Sequence, residues 1–441
     1  MPHTIRPGRP RLRPRRITAS RLSPAATSPL AGVCTPLGLS ACTVLIVCAS
    51  AGCSRDRSVT PSVSVADSAG VSIVASARTG SGEADAWRLV LDLEIGDVDG
   101  PHSFGRIADV APRENGGVWV ADAQALRVRG FDEAGREVLA LGGPGQGPGE
   151  FRSVGQVSEG AGGHVSVGGR MPIELYRFDT SGDPLATAVP DPATYRDARP
   201  GSEQGRPPLG PTMGEWRFAA DGSAFVQAVT LDAPAGEMIR TDVVLRPATD
   251  ARSAVRFLRW ESEAMRGGPG GSMRLLEPTA AWSPLADGGL WFTRGDRYEL
   301  RRFDAEGQLR TIIRRPVQRL AVTEGMRSSF AASLAGGTDE PGALAVLERA
   351  VFPDSLPAIS GLWASEPDGR LWVGVIDPSL PLRVDRPNAW EVLGPDGEYM
   401  GRLPIPVGLR PTRITTRYVY GVWLDDLEVS RARRYRIERM E

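Results

Sequence analysis

One segment type recurs along the 441-residue chain, and it limits the possible folds more than any other feature. Its best copy runs from Asn115 to Phe151 as two alternating strand-like runs joined by a short turn, a third run, and a Gly/Pro-rich exit. The turn before the last run reads Phe131-Asp132-Glu133-Ala134-Gly135, and it returns as Phe178-Asp179-Thr180-Ser181-Gly182 and Phe303-Asp304-Ala305-Glu306-Gly307. Each residue in that turn has a physical reason. The Asp side chain accepts from backbone N–H groups just ahead of it, the Gly takes a positive φ, and the Phe ends a strand facing the core.

The copies align by spacing: Val118 precedes Phe131 by 13 positions, His164 precedes Phe178 by 14, and Leu290 precedes Phe303 by 13. A fourth copy starts at Asp368-Gly369-Arg370-Leu371-Trp372-Val373 and reaches its turn at Leu393-Gly394-Pro395-Asp396-Gly397 after an insertion, Asp377 to Asn388. A fifth starts at Asp221-Gly222-Ser223-Ala224-Phe225-Val226 and continues through Asp242 to Leu245. The last, from Tyr420-Gly421-Val422-Trp423, ends at Arg434 to Glu438 with no fourth strand. About six units of four strands predict an all-β fold, a six-bladed β-propeller. The 52 glycines and 37 prolines agree with many short strands and turns.

The last unit is one strand short, while Val71–Val74 and Trp87–Leu93 precede the first copy without a nearby partner. A ring closed by an N-terminal strand answers both, with Trp87–Leu93 completing the final blade and leaving no open edge. One stretch breaks the β pattern. Thr323 to Leu334 and Pro341 to Ala350 have helical spacing, with Thr323 as an N-cap and Pro341 at a second helix start. This predicts a short helical insertion between blades, about 323–350, lying across one face of the ring.

Ahead of the repeats, Arg6 to Arg21 is Arg-rich, Leu37 to Ala49 is apolar, and Ser50-Ala51-Gly52-Cys53 precedes an abrupt polar turn at Ser54-Arg55-Asp56-Arg57. That is the order of a secretory signal. The small residues before Cys53 resemble a bacterial lipobox, which makes Cys53 the predicted lipidation site and mature N-terminus. Leu39-Ser40-Ala41-Cys42 is a second candidate, but cleavage there leaves the apolar Thr43 to Ala51 on the mature chain. The apolar run is shorter than the ~20 residues of a spanning helix. The expected organisation is therefore a signal peptide at 1–53, a tether and first strand at 54–86, and the propeller at 87–441. The expected location is extracytoplasmic, on a bacterial membrane through a lipid anchor, at the periplasmic or outer-membrane face; plain secretion is the alternative.

Composition removes several chemistries. All four cysteines (Cys34, Cys42, Cys48, Cys53) precede the body, so the body has no disulfide framework and no Cys-held metal. All 52 basic residues are Arg, which excludes a P-loop Lys and Schiff-base chemistry; a GC-rich genome accounts for the missing Lys. After Cys53 the chain carries 45 basic and 53 acidic residues, the wrong balance for a nucleic-acid binder. His102 and His164 are the only histidines there, too few for a multi-His metal site, and each reads as a turn or packing residue. No G-x-S-x-G, H-E-x-x-H or EF-hand loop occurs.

Four features deserve weighing as sites. Gly142 to Phe151 looks like a dinucleotide loop, but its prolines remove N–H donors and no helix pattern follows, so a blade-to-blade connection is expected. Trp119, Trp291, Trp372 and Trp423 recur at one repeat position, with Phe225 and Val165 in two other copies, and read as inter-blade packing rather than a ligand cage. Asp122, Asp377 and Asp425 invite a Ca²⁺ ring around a channel, against the plainer reading that they bond backbone at strand ends. Arg310, Arg314, Arg315 and Arg319 form a basic cluster for an anion, against a solvated face partly paired with Asp304 and Glu306.

At Gly147-Pro148-Gly149-Glu150-Phe151 and Trp119-Val120-Ala121-Asp122 the chain resembles NHL-type six-bladed propellers, and more closely the bacterial six-bladed β-propeller lipoproteins (NHL-like or TolB-like) of unassigned function. Its ending, Tyr418 to Asp426 and Arg434-Tyr435-Arg436-Ile437, is similar to theirs. The likeness covers about Trp87 to Glu441 and departs from the pattern at His164-Val165-Ser166-Val167. It implies a binding or scaffolding module for a protein or small-molecule ligand at the cell envelope, touching the membrane only through its anchor, with no nucleic acid. The alternative it implies is an enzyme, a lactonase-like hydrolase or sugar dehydrogenase, using calcium at the central channel. Such enzymes carry metal-binding carboxylates and His at the channel mouth. No matching motif occurs here, so no catalytic, cofactor or metal residue is carried over.

Overall fold

Every unit folds for the local reason read in its turn. Asp132 Oδ1 accepts from the N–H groups of Ala134 at 3.0 Å and Arg136 at 2.9 Å. Asp179 repeats this with Ser181 and Asp183, and Asp304 with Glu306 and Gln308. These bonds hold the carboxyls of Asp132 and Asp304 below the usual range, with backbone donation from Arg136 and Gln308 respectively as the leading cause. Gly182 has φ +90°, and a Cβ on it would stand 2.9 Å from Leu141 Cδ2, so the turn glycine is also a contact point with the preceding blade.

The protein, described from a computed structural model, is placed over residues 63–76, 87–190, 213–232, 238–247, 253–267, 273–334, 350–381, 386–425 and 429–439. The signal segment, Cys42, Cys53 and the start of the tether lie outside the described residues, as do Pro341 to Arg349 of the expected second helix. In chain order, β1 (Val63–Ser68), β2 (Val71–Ser76) and β3 (Trp87–Ile95) come first. The first blade is β4 (Ile107–Pro112), β5 (Val118–Asp122), β6 (Arg127–Phe131) and β7 (Glu137–Leu141). The second is β8 (Val157–Glu159), β9 (Val165–Arg170), β10 (Ile173–Phe178) and β11 (Pro184–Ala188). The third is β12 (Met213–Phe218), β13 (Ala224–Asp232), β14 (Met238–Pro247) and β15 (Ala254–Gly267), followed by β16 (Met273–Arg274). The fourth is β17 (Ala281–Pro284), β18 (Leu290–Thr293), β19 (Glu299–Phe303) and β20 (Leu309–Arg314). Helix α1 (Glu324–Leu334) and β21 (Ala350–Val351) lead to the fifth blade, β22 (Gly361–Ala364), β23 (Leu371–Val375), β24 (Ala389–Leu393) and β25 (Tyr399–Pro404). The sixth holds β26 (Leu409–Ile414), β27 (Tyr418–Leu424) and β28 (Ser430–Arg439).

The sixth blade is completed by β3, antiparallel to β28 from Trp87↔Arg439 to Ile95↔Ala432. The all-β, six-bladed propeller closed by its N-terminal strand is therefore the fold, and the closing strand runs two residues past Leu93. The hairpin β1–β2, which had no visible partner in the sequence, adds to the outer edge of the fourth blade by parallel pairing of Ser72–Ala75 with Thr311–Arg314.

Each blade buries both faces. Six hydrophobic clusters each join two neighbouring blades, so β5 and β23 are buried at every position rather than at alternate ones. Trp119, Trp291, Trp372, Phe225 and Val165 are core residues as expected. Trp423 differs: it is half-buried, with the Arg433 guanidinium 3.5 Å from its ring centroid. The Gly142–Phe151 stretch is a blade connection, and Phe151 inserts between the first two blades against Tyr176 (4.9 Å) and Phe178 (5.7 Å).

Thr323 caps α1, its Oγ1 accepting from Met326 N at 3.3 Å. Met326 and Phe330 pack on Leu276, Val322 and Leu356, a satellite core beside the ring. Ala350 is not helical; it pairs with Met273 in a short parallel bridge. Among the described residues no helix is long and apolar enough to cross a membrane.

The arginine cluster divides. Arg310 pairs with Asp304 (2.5 Å) as expected, Arg314 pairs with Glu299 (2.7 Å) instead of Glu306, and Arg319 donates to the carbonyls of Leu356 and Ser355. Arg315 is buried instead, bonded to Glu391 of the next blade. His102 packs edge-on against Phe131 at 5.6 Å, and the His164 carbonyl closes its turn by accepting from Gly160 N at 2.9 Å.

Candidate functional site

The first strands of the six blades, β4, β8, β12, β17, β22 and β26, wall a central channel. The turns that follow them gather on one face of the ring, where Glu159 accepts from Glu114 N (2.9 Å) and Trp119 Nε1 (3.0 Å), and Glu366 from Ala220 N (3.3 Å) and Ala286 N (3.0 Å). On that side the channel widens into a cavity of about 310 Å³. All six inner strands contribute to its wall: Pro112, Ser158, Glu215 with Arg217, Ser283, Trp363, and Arg410 with Arg413.

Strand alternation aims the charged groups. Trp216 lies against the second blade, where a Cβ on Gly168 would stand 2.5 Å from its side chain and its Nε1 donates to Gly169 O at 3.1 Å. Its neighbours Glu215 and Arg217 therefore face the other way, toward β17. Arg217 Nε donates to Glu215 Oε1 at 3.0 Å, and the guanidinium lies 4.9 Å from the Trp282 ring centroid while donating to the Trp282 carbonyl.

Two bulges shape the opposite wall. The register of β26 shifts between Pro411 and Arg413, and that of β4 between Ile107 and Asp109. Thr412 and Arg413 can then both reach the first blade: Thr412 Oγ1 donates to Val110 O at 2.6 Å, and Arg413 Nη2 lies 3.6 Å from Asp109 Oδ2. Asp109 is fully buried and also accepts from Val157 N at 3.0 Å, which ties β26, β4 and β8 together. Arg410 Nη2 is steadied by the carbonyls of Ile107 (3.2 Å) and Ala108 (3.1 Å).

The charges inside are not balanced pair by pair. Burial pushes the Glu215 carboxyl up, but Arg217, Arg170 and Arg410 outweigh it and hold the group below the usual range, so it is ionised at neutral pH. Burial is the leading cause that pushes Arg410 down; Asp109 and Glu215 oppose it, and the like charges of Arg386 and Arg170 act with it. Neither Arg410 nor Arg170 has an ion-pair partner among the described carboxylates. The cavity thus presents three arginines (Arg217, Arg410, Arg413), three glutamates (Glu159, Glu215, Glu366), hydroxyls and the half-buried ring of Trp363.

Asp122, Asp377 and Asp425 sit at the ends of the second strands β5, β23 and β27, on the face away from this cavity. Asp122 accepts from four backbone N–H groups, those of Gly105, Arg106, Gln124 and Ala125. Asp377 accepts from Ser379 N (2.9 Å) and Oγ (2.6 Å) and pairs with Arg402 (2.6 Å). Burial would raise the Asp377 carboxyl, but these donors hold it down. Asp425 accepts from Val429 N at 2.8 Å. Backbone bonding is what these acids do, and no group of three or more His, Cys, Asp or Glu is close enough to hold a metal among the described residues.

Sequence reasoning did not nominate Glu215, Arg217, Arg410, Arg413 or Asp109. The available signal was charge inside the first strand of a unit, just before its turn glycine, as in Glu215-Trp216-Arg217-Phe218.

No family model matches the chain, and no curated protein matches its sequence. Among solved structures it is similar to a candidate exported protein of Bacteroides fragilis, with 10% identity, TM-score 0.45, and 84% of this chain and 100% of that one covered. It is also similar to a DUF4221-family protein of Bacteroides vulgatus, with 9% identity, TM-score 0.44, and 81% and 99% covered. A third is the calcium-binding protein regucalcin of Agrobacterium tumefaciens, with 11% identity, TM-score 0.38, and 79% and 95% covered. At these identities the likeness is one of fold alone.

Proposed function

We propose that this chain is an extracytoplasmic binding propeller, held at a bacterial membrane by a lipid on Cys53, whose central channel takes up a small ligand. The observation that carries the reading is the cavity itself, where ionised side chains from non-neighbouring strands converge around about 310 Å³ of open space. A packed core would fill such space with apolar side chains. The signal-like order before Cys53 supports the location.

Ala220 is exposed at the rim, so Ala220→Trp narrows the mouth without touching the core. In equilibrium dialysis against a panel of sugars, organic acids and amino acids, the wild-type chain retains members of the panel and Ala220→Trp loses them at an unchanged melting midpoint. Equal retention by both, or by neither, contradicts the reading. For the anchor, Cys53→Ser moves the protein from the membrane fraction to the soluble fraction, and continued membrane retention contradicts it.

A further inference from the structure

We propose that the channel cavity selects an organic anion of about monosaccharide size, with a carboxylate or phosphate group on Arg410 and hydroxyl or amine donors on Glu215. This rests on the channel being the ligand site and adds the class of ligand.

Geometry supports each part. Arg410 is anchored through Nη2 to two main-chain carbonyls, which fixes the guanidinium plane and leaves its other N–H groups for a ligand. Arg170, at the end of β9 and outside the cavity wall, adds positive charge that acts on both Glu215 and Arg410. Arg217 and Arg413 are already engaged, by Glu215 and Asp109. Glu159 and Glu366 of the wall are taken up by backbone N–H groups, so Arg410 is the cation of the wall without a described carboxylate partner in an ion pair, and an arriving anion supplies one. A simple inorganic ion would leave Glu215 facing it; a ligand that also carries donors satisfies both. At about 310 Å³ the cavity has room for a hexuronic acid. The Trp363 ring offers an apolar wall for the carbon face of such a molecule.

The test is calorimetric titration of the full chain in detergent at low salt with D-glucuronate, D-glucose 6-phosphate and D-glucose. The two charged sugars bind about tenfold or more tightly than glucose, as expected for charge-assisted bonds. Arg410→Ala and the milder Arg410→Gln reduce that preference to about twofold or less, and added NaCl weakens it in the wild type. Arg310→Ala, on the outer surface, leaves it intact. If glucose binds as well as glucuronate, the anion inference falls while the channel reading stands. The same holds if only panel members without a carboxylate or phosphate are retained. A preference that survives both Arg410 variants and salt also overturns the inference, and charged-sugar binding that survives Ala220→Trp overturns the inference and the channel reading together.

Discussion

Glu391→Ala lowers the free energy of unfolding by about 3–5 kcal/mol, the cost of leaving buried charge without its partner. Glu391 is 4% exposed in β24 and accepts from Arg315 of the fourth blade and from Arg402 Nη2 at 2.7 Å. Arg315 has nowhere else to go. Its side chain is 3% exposed and lies between the rings of Tyr298 and Tyr399, 5.0 and 4.5 Å from their centroids. Burial, the leading cause, raises the Tyr298 phenol well above its ordinary value, so it is a neutral neighbour of the pair. Urea unfolding measures the effect. Arg310→Ala breaks an ion pair whose arginine is 53% exposed and changes stability by no more than about 1 kcal/mol. Glu391→Ala combined with Arg315→Met recovers part of the loss, because the stranded cation is then gone. A loss for Glu391→Ala as small as that for Arg310→Ala would mean that water reaches the pair.

Trp372→Ala costs about 3–5 kcal/mol by the same measurement, from lost burial and the cavity left behind. Trp372 is fully buried where the fifth blade meets the sixth, 5.9 Å from Trp390 and 6.5 Å from Trp87 of the closing strand, with Nε1 bonded to Ser365 Oγ at 3.2 Å. The truncation therefore weakens both a blade interface and the closure of the ring. Trp423 occupies the same repeat position in the sixth blade but is half-exposed beneath Arg433, and Trp423→Ala costs about 1–2 kcal/mol. Equal losses at the two positions would contradict the packing described for this interface.

What could be read from the sequence was what the chain settles locally. The Phe-Asp-x-x-Gly turns are made of bonds within five residues, so their aspartates and glycines announce them wherever they occur. Closure by the strand read as Trp87–Leu93 followed from counting edges, since a final unit short of one strand leaves a sheet open. The place of β1–β2 was not legible: its parallel pairing to β20 joins segments far apart in the chain, and β20 already completed its own blade. The channel was hidden for a related reason. Glu215, Arg217 and Arg410 look like solvated charges in ordinary strands, and only the ring brings β12 and β26 to face one another. Arg314 and Arg315 show how one position decides. The first points out to Glu299, the second in to Glu391, and no feature of the run Arg314-Arg315 separates them. Asp122, Asp377 and Asp425 were legible as strand-end acids, and their backbone bonds follow from that position.

The account depends on a ring closed by its first blade-forming strand around a charged channel, and a disulfide tests this directly. Arg88 and Glu438 are register partners across β3 and β28, with their side chains paired at 2.6 Å. Arg88→Cys with Glu438→Cys, in a chain whose four native cysteines are Ser, forms an intramolecular disulfide on mild oxidation and raises the melting midpoint. Arg88→Cys with Arg433→Cys, near the other end of β28, does not. Comparable cross-linking in the two pairs, or none in the first, would contradict the closed ring and the channel that depends on it.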